Sequence, residues 1–314
     1  MRILPLSMVS VFCILANLVL SSNHAWATSI KHVFVIAMEN EDASDIYTAN
    51  GSTSYITSLI SQYASASRFE DELPKLPSEP HYIWMEAGNN AFADRLFAND
   101  ADPSSVNSTA SIDHLVSQIS RSRNVTWMTY QESLSAASGS CPIHSVGLYA
   151  AKHNPFVFFQ DVAGNPPSKE NAYCAEHSKP YGNLVADMAA NDVANYVFIS
   201  PNLCNDMHGA RACPSRDNVK TGNDWLRSEL PGLISWADAH SGVILVTWDQ
   251  GSSQRKFIPF LAIGKYAKRH FVSGVSFNHG SIIKSVEEIF KLPILPTVSS
   301  SADLSDLFTS GSFP

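Results

Sequence analysis

The chain predicts an α/β fold with a mostly parallel central sheet and helices on both faces. Three observations carry this. Apolar runs without polar alternation recur at 33–38, 196–200, 243–248 and 257–263, the pattern of strands buried on both faces. Segments of helical periodicity lie between and after them, as crossovers of a parallel sheet require. The runs also stop abruptly in polar residues, Glu39-Asn40 after the first and Asp249-Gln250 after the third. In open α/β sheets, ligands gather at the carboxyl ends of the strands.

Length and composition agree. The 314 residues are 45% hydrophobic, enough for one large α/β domain with a sizeable core. A net charge of −8 argues against nucleic acid as partner. Residues 1–27 read as a secretory signal, with Arg2, an apolar stretch and an Ala25-Trp26-Ala27 cleavage site. The small-residue site favours removal over an uncleaved anchor, leaving 28–314 as a single secreted domain without a stable membrane anchor. Cys13 lies in the signal; Cys141, Cys174, Cys204 and Cys213 remain for an oxidising compartment. Of the three connectivities, Cys141–Cys174 and Cys204–Cys213 each clamp a local loop. No C-x-x-C pair points to a metal site made of cysteines. Sequons stand at Asn50, Asn107 and Asn124.

The first strand, 30–38, is followed by a helix over 53–65 with Ser52 or Thr53 as its cap. A proline-punctuated turn, 73–80, feeds Ser78 towards a helix over 81–87 closed by Gly88. Backbone N–H groups at such a helix start favour an anion. Residues 89–110 read as a surface excursion, 112–119 as a helix and 125–130 as a strand. The cysteine-bearing stretch 131–180 reads as a loop-rich insertion walling a cleft. A helix over 184–190 precedes the strand at 196–200. The region 224–239 reads as helix broken near Pro231-Gly232. Asn278 caps a helix to residue 290 with His279 in its first turn.

Four groups share one context, each following a strand or opening a helix: Glu39-Asn40, Ser78, Asp206 with His208, and Asp249 with His279. Hard oxygen donors beside a hydroxyl suit a divalent ion that activates a serine. Histidines across the site suit binding of phosphate oxygens or protonation of a leaving group. Together they fit phosphate-ester hydrolysis through a phosphoserine.

At these residues the chain resembles the secreted phosphoesterases of alkaline-phosphatase-like fold, which include acid phosphatases, phosphatidylinositol-3-phosphatases and phospholipases C. The matching segments are HVFVIAMEN (32–40), PSEPHY (77–82), KHNPF (152–156), PNLCNDMHG (201–209), LVTWDQG (245–251) and NHGSIIKSVEEIFKLP (278–293). They run in the family's order across nearly the whole chain after the signal. The resemblance implies one or two divalent ions at Glu39, Asn40, Asp249 and position 250, with Ser78 as nucleophile and metal neighbour. It implies His208 and His279 at the phosphate or leaving group, and Asp206 on a second ion or orienting His208. Two positions depart from the pattern: His81 stands where the family often has a phosphate-binding Asn, and Gln250 replaces an acidic metal ligand.

The expected function is therefore a secreted, metal-dependent phosphomonoesterase acting on a phosphorylated small molecule or lipid headgroup. One alternative is a phospholipase C-type phosphodiesterase, a group that often carries further C-terminal domains. Another is a degenerate member that binds phosphorylated ligands without turnover, motivated by His81 and Gln250. A sulfatase relative needs an arginine two residues past the proline of its motif, which 78–82 lacks.

Overall fold

The computed structural model describes residues 29–48, 50–134, 139–252 and 256–314. The signal segment expected at 1–27 lies outside them. Among the described residues, no helix is long and apolar enough to cross a membrane.

The strands are β1 His32–Met38, β2 Ala64–Ala66, β3 Phe69–Glu70, β4 Trp127–Gln131, β5 Ser178–Pro180, β6 Tyr196–Ser200, β7 Gly242–Trp248, β8 Phe257–Ile258, β9 Phe260–Ile263, β10 Phe271–Ser273 and β11 Phe277–Asn278. Eight of them form the main sheet in the order β10-β2-β9-β7-β1-β6-β4-β5. It is mostly parallel, with β9 antiparallel to both its neighbours. β11, β3 and β8 form a second, small sheet. The central strands β1, β6 and β7 are buried almost throughout, which is why they lack polar alternation.

Several local expectations meet corrections. The helix of the proline-rich turn starts earlier than expected, at Ser78, and spans Ser78–Ala87. Pro80 falls in its first turn, where a missing N–H costs nothing. Nearly every residue of this helix is buried, so it shows no amphipathic stripe. Gly88 ends it in the left-handed region at φ 60, and a Cβ there would meet Val298 Cγ1 at 2.3 Å. The break expected near Pro231 is absent: one helix runs Asn218–Ala239. Pro231 sits on its exposed side, while Trp225, Leu226, Leu230, Leu233 and Ala237 face the core. The 257–263 run divides at Pro259, so β8 and β9 join different sheets. The early helix spans Ser54–Gln62 only, and Ala64–Ala66 turns into β2.

The stretch 131–180 holds more structure than its loop-like composition suggests. Phe156, Val157, Phe158 and Phe159 are buried in the common core, and Ser178–Pro180 supplies the edge strand β5. The disulfides are Cys141–Cys174 and Cys204–Cys213, the pairing expected from proximity in sequence.

The far end of the Ser78–Ala87 helix is pinned by a buried polar bridge. His114 Nδ1 lies 2.8 Å from Glu86 Oε1, and its Nε2 lies 3.0 Å from Asp161 Oδ1. Glu86 Oε1 also accepts the Val116 N–H at 2.7 Å. Burial works against charge on His114, but the hydrogen bonds to Asp161 and Glu86 outweigh it and raise its pKa. A raised histidine pKa stabilises the fold fully below the ordinary imidazole value, and the contribution is lost as pH rises through the folded value. His114→Gln is therefore expected to cost about 3–5 kcal/mol at mildly acidic pH. In urea denaturation series, that deficit is expected to shrink as pH rises above about 6.5. A deficit that grows with pH would refute the bridge's charge.

Candidate active site

The site is built where β1 and β7 end. The two strands pair in parallel with Met38 opposite Trp248. The next residues, Glu39 and Asp249, therefore emerge side by side, both fully buried. Backbone bonds hold the level: Asp249 N–H donates to Met38 O at 2.9 Å, and Glu39 N–H to Asp206 O at 2.7 Å. That second bond brings in the loop after β6, which the Cys204–Cys213 disulfide closes. Asp206 is thus a third fully buried carboxylate beside the other two.

Asn40 turns the chain in the left-handed region at φ 51, a conformation that asparagine tolerates. Its backbone N–H reaches Asp249 Oδ1 at 3.0 Å, and its side-chain amide donates to Glu39 Oε2 at 2.7 Å. Ser78, at the first position of its helix, donates its hydroxyl to the same Glu39 Oε2 at 3.0 Å. The structure thus gathers Glu39, Asn40, Ser78 and Asp249 from three distant stretches of chain. Gln250 donates its backbone N–H to Asp249 Oδ1 at 2.6 Å; among the described residues, no hydrogen bond links its side-chain amide to the cluster.

On the other side of Glu39 stands His153, a residue absent from the expected site. Its Nε2 is 3.1 Å from Glu39 Oε1 and its Nδ1 is 3.2 Å from Asp206 Oδ2. Its ring stacks on Tyr82 at 4.9 Å, and Tyr82 comes from the Ser78 helix. KHNPF was a matching segment, but nothing in its spacing showed that residue 153 meets residue 39. Asp206 Oδ1 accepts the His208 N–H at 2.7 Å across Met207, which is at φ 83. Both oxygens of Asp206 are therefore engaged, and it orients His153 as well as His208. His208 Nδ1 lies 2.9 Å from Gly209 O, an acceptor, which leaves Nε2 as the open nitrogen.

The other two histidines are held by protein partners. His279 Nε2 donates to Trp248 O at 2.8 Å, one residue before Asp249. Burial lowers its pKa to about 4, so the ring is neutral. His81 lies 2.8 Å from Pro77 O through Nδ1 and 3.1 Å from Asp71 Oδ1 through Nε2. Burial opposes its charge, but Asp71 and Asp249 outweigh it and raise its pKa. The phosphate-contacting role expected of His81 thus meets a ring whose two nitrogens are both engaged. Asp71, supplied by the small sheet, carries no motif signal in the sequence.

Electrostatics single out this cluster. Burial first, then the neighbouring carboxylates, pushes Glu39 well above the ordinary range, and burial does the same to Asp206. Burial also raises Asp249, with His81 opposing it. His153 is pushed well down by burial and by the charges of Lys152 and His208. Three buried carboxylates and a neutral imidazole call for a compensating cation. Glu39 Oε1 faces the His153 ring at 3.1 Å, and among the described residues Asp249 Oδ2 accepts no hydrogen bond from a donor group. Glu39, His153 and His208 each offer a ligand atom within 4.8 Å of one another. This mixed oxygen and imidazole set fits a divalent metal ion.

The alkaline phosphatase superfamily shares the architecture: a member from Vibrio parahaemolyticus superposes with a TM-score of 0.57 at 11% identity, over 88% of this chain and 70% of that one. Murine ectonucleotide pyrophosphatase/phosphodiesterase 5 superposes at 0.54 with 10% identity, over 88% of this chain and 100% of that one. The chain belongs to the Phosphoesterase family, whose profile matches residues 23–293, and it is a hydrolase acting on phosphate esters. It is 26% identical over 281 residues to a phosphatidylinositol-3-phosphatase of Mycobacterium tuberculosis, covering 89% of this chain and 83% of that protein. It is 24% identical over 234 residues to a phosphate-repressible acid phosphatase of Penicillium chrysogenum, covering 70% of this chain but only 50% of that protein.

Glu39 stands between both donor groups, so Glu39→Gln is expected to strip the protein of divalent metal after dialysis. Elemental analysis reads this directly. Metal content equal to wild type would remove Glu39 from the centre.

Proposed function

We propose that the protein is a secreted, metal-dependent phosphomonoesterase of acid phosphatase type, working through a phosphoserine. The observation that carries this is the Ser78 hydroxyl, at a helix N-terminus and 3.0 Å from Glu39 Oε2 within the acidic cluster. The names of the curated relatives support the monoester class. The two disulfides support secretion.

Glu39, Asn40 and Asp249 are the residues we assign to the ion beside Ser78. When bound, a divalent ion there would favour the ionised hydroxyl and neutralise charge on the phosphoryl oxygens. Glu39 Oε2 accepts the serine proton and fixes the direction in which Oγ points. Attack forms the Oγ–P bond as the bond from phosphorus to the leaving oxygen breaks, and the leaving group takes its proton from water. The hydroxide left by that transfer attacks the phosphoserine, the Oγ–P bond breaks to release phosphate, and Glu39 returns its proton to the Ser78 oxygen. His208, whose Nε2 is open, is assigned to the phosphoryl oxygens, and His153, held between Glu39 and Asp206, positions those two carboxylates. His81 contributes positive charge near Asp249, and His279 fixes the Trp248 carbonyl and so the strand end.

A second reading places a further ion on Glu39, His153 and His208, favoured by their mutual approach within 4.8 Å. Metal content of His153→Ala separates the two: unchanged under the first, lower by one equivalent under the second.

Ser78→Ala is expected to lower turnover of an aryl phosphate by about a thousandfold or more. EDTA is expected to abolish wild-type turnover, and Gln250→Glu to tighten metal retention by restoring a charged donor. Assayed against the matching choline diester, the enzyme is expected to prefer the monoester. A clear diester preference would make it a phosphodiesterase. Tight phosphate binding without turnover in metal-loaded protein would make it a binder.

A further inference from the structure

One ion pair on the wall of the site has no part in the chemistry above. Lys152 immediately precedes His153 on the short 3-10 turn Ala151–His153, and its ammonium pairs with Asp100 Oδ2. The other oxygen of Asp100 accepts the Glu79 N–H at 3.0 Å, in the first turn of the helix that begins with Ser78. The loop carrying Asp100 is tied to that same turn, since Ala101 N–H donates to Glu79 Oε2 at 2.7 Å. A carboxylate therefore sits where an ammonium and a helix N-terminal amide converge, one residue from the candidate nucleophile. Both elements favour an anion.

We propose that Lys152 is a substrate-binding residue held in reserve by Asp100, its ammonium passing from the carboxylate to the phosphoryl oxygens when a monoester enters. This deepens the phosphomonoesterase reading and rests on it. Three lines support it. First, the floor of the site carries three buried carboxylates, Glu39, Asp206 and Asp249, which repel a dianion unless the wall supplies positive charge. Lys152 is near enough for its charge to favour the ionised forms of Glu39 and Asp206. Secondly, the pair lies at the rim, with side chains 18% and 33% exposed for Lys152 and Asp100. That partial exposure leaves the ammonium open to an incoming anion. Thirdly, a phosphate monoester offers more charge and more acceptor oxygens than one carboxylate, and wins the competition for a flexible ammonium.

The contrary role is a brace: Asp100 would simply tie the Ser78 helix to the His153 segment. The two roles predict opposite signs for Asp100→Asn. Asparagine keeps an oxygen to accept the Glu79 N–H but removes the charge that competes with phosphate. Initial rates with an aryl phosphate, and competitive inhibition by inorganic phosphate, would be measured on metal-loaded wild type, Lys152→Met, Lys152→Arg and Asp100→Asn, each checked by thermal melting. Lys152→Met is expected to raise KM and the phosphate Ki about tenfold with a smaller change in kcat, and Lys152→Arg to recover most of that. Asp100→Asn is expected to lower the phosphate Ki about threefold, because a competitor is gone. The proposal is overturned if Asp100→Asn weakens phosphate binding alongside Lys152→Met, or if Lys152→Met leaves Ki within twofold of wild type. If wild type turns over no monoester, the phosphomonoesterase reading fails on its own. Calorimetric titration of inorganic phosphate into the same variants then reads the same order of affinities.

Discussion

The structure depends on one constraint, the parallel register that sets Met38 opposite Trp248. Because the strands end at the same level, Glu39 and Asp249 are delivered together to a buried point where desolvation and the neighbouring carboxylate both oppose the charge of Glu39. Asp206 joins them through a backbone bond from Glu39 N–H to its carbonyl. Taking each charge out of water costs several kcal/mol. The cost is carried by the apolar interior of β1, β6 and β7. The sheet gives up stability at its carboxyl edge to hold a concentrated negative charge, a pattern expected of functional sites.

The surroundings keep that edge rigid. The small sheet lies beside it and supplies Asp71, which holds His81. It also leads into Asn278, whose reciprocal bonds with Ser281 fix the start of the helix carrying His279. His279 in turn takes the Trp248 carbonyl, and the Trp248 indole donates to Met207 Sδ at 3.4 Å. Tyr82 stacks on His153 from the Ser78 helix. Each contact ties one contributing segment to another, so Ser78, His153, Asp206 and Asp249 are positioned by mutual packing rather than by single loops. Fixed geometry of this kind is what phosphoryl transfer draws on most.

Charge explains the division of labour among the histidines. His81 has acidic neighbours, and Asp71 and Asp249 raise its pKa against the pull of burial. His279 faces a carbonyl in an apolar setting and stays neutral. His153 lies between two carboxylates yet is pushed towards the neutral form by burial and by Lys152 and His208. Identical side chains shift in opposite directions because their surroundings differ.

The sequence by itself determined the sheet's central strands, the polar residues at their ends, the capping of the last helix by Asn278 and the two local disulfides. These follow from short-range rules: apolar runs, strand ends, cap chemistry and loops short enough to close. Only the tertiary structure decided that His153 meets Glu39 and Asp206, that Asp71 claims His81, and that Asp100 and Lys152 pair beside Ser78. All but the Asp71–His81 contact join segments far apart in the chain, and no local periodicity encodes which will touch. The short strands β3, β5 and β10 were equally hidden, since two or three residues are too few to show a period. Pro231 shows the converse: its local signal reads as a break, yet a helix packed on the core with that ring facing solvent continues through it.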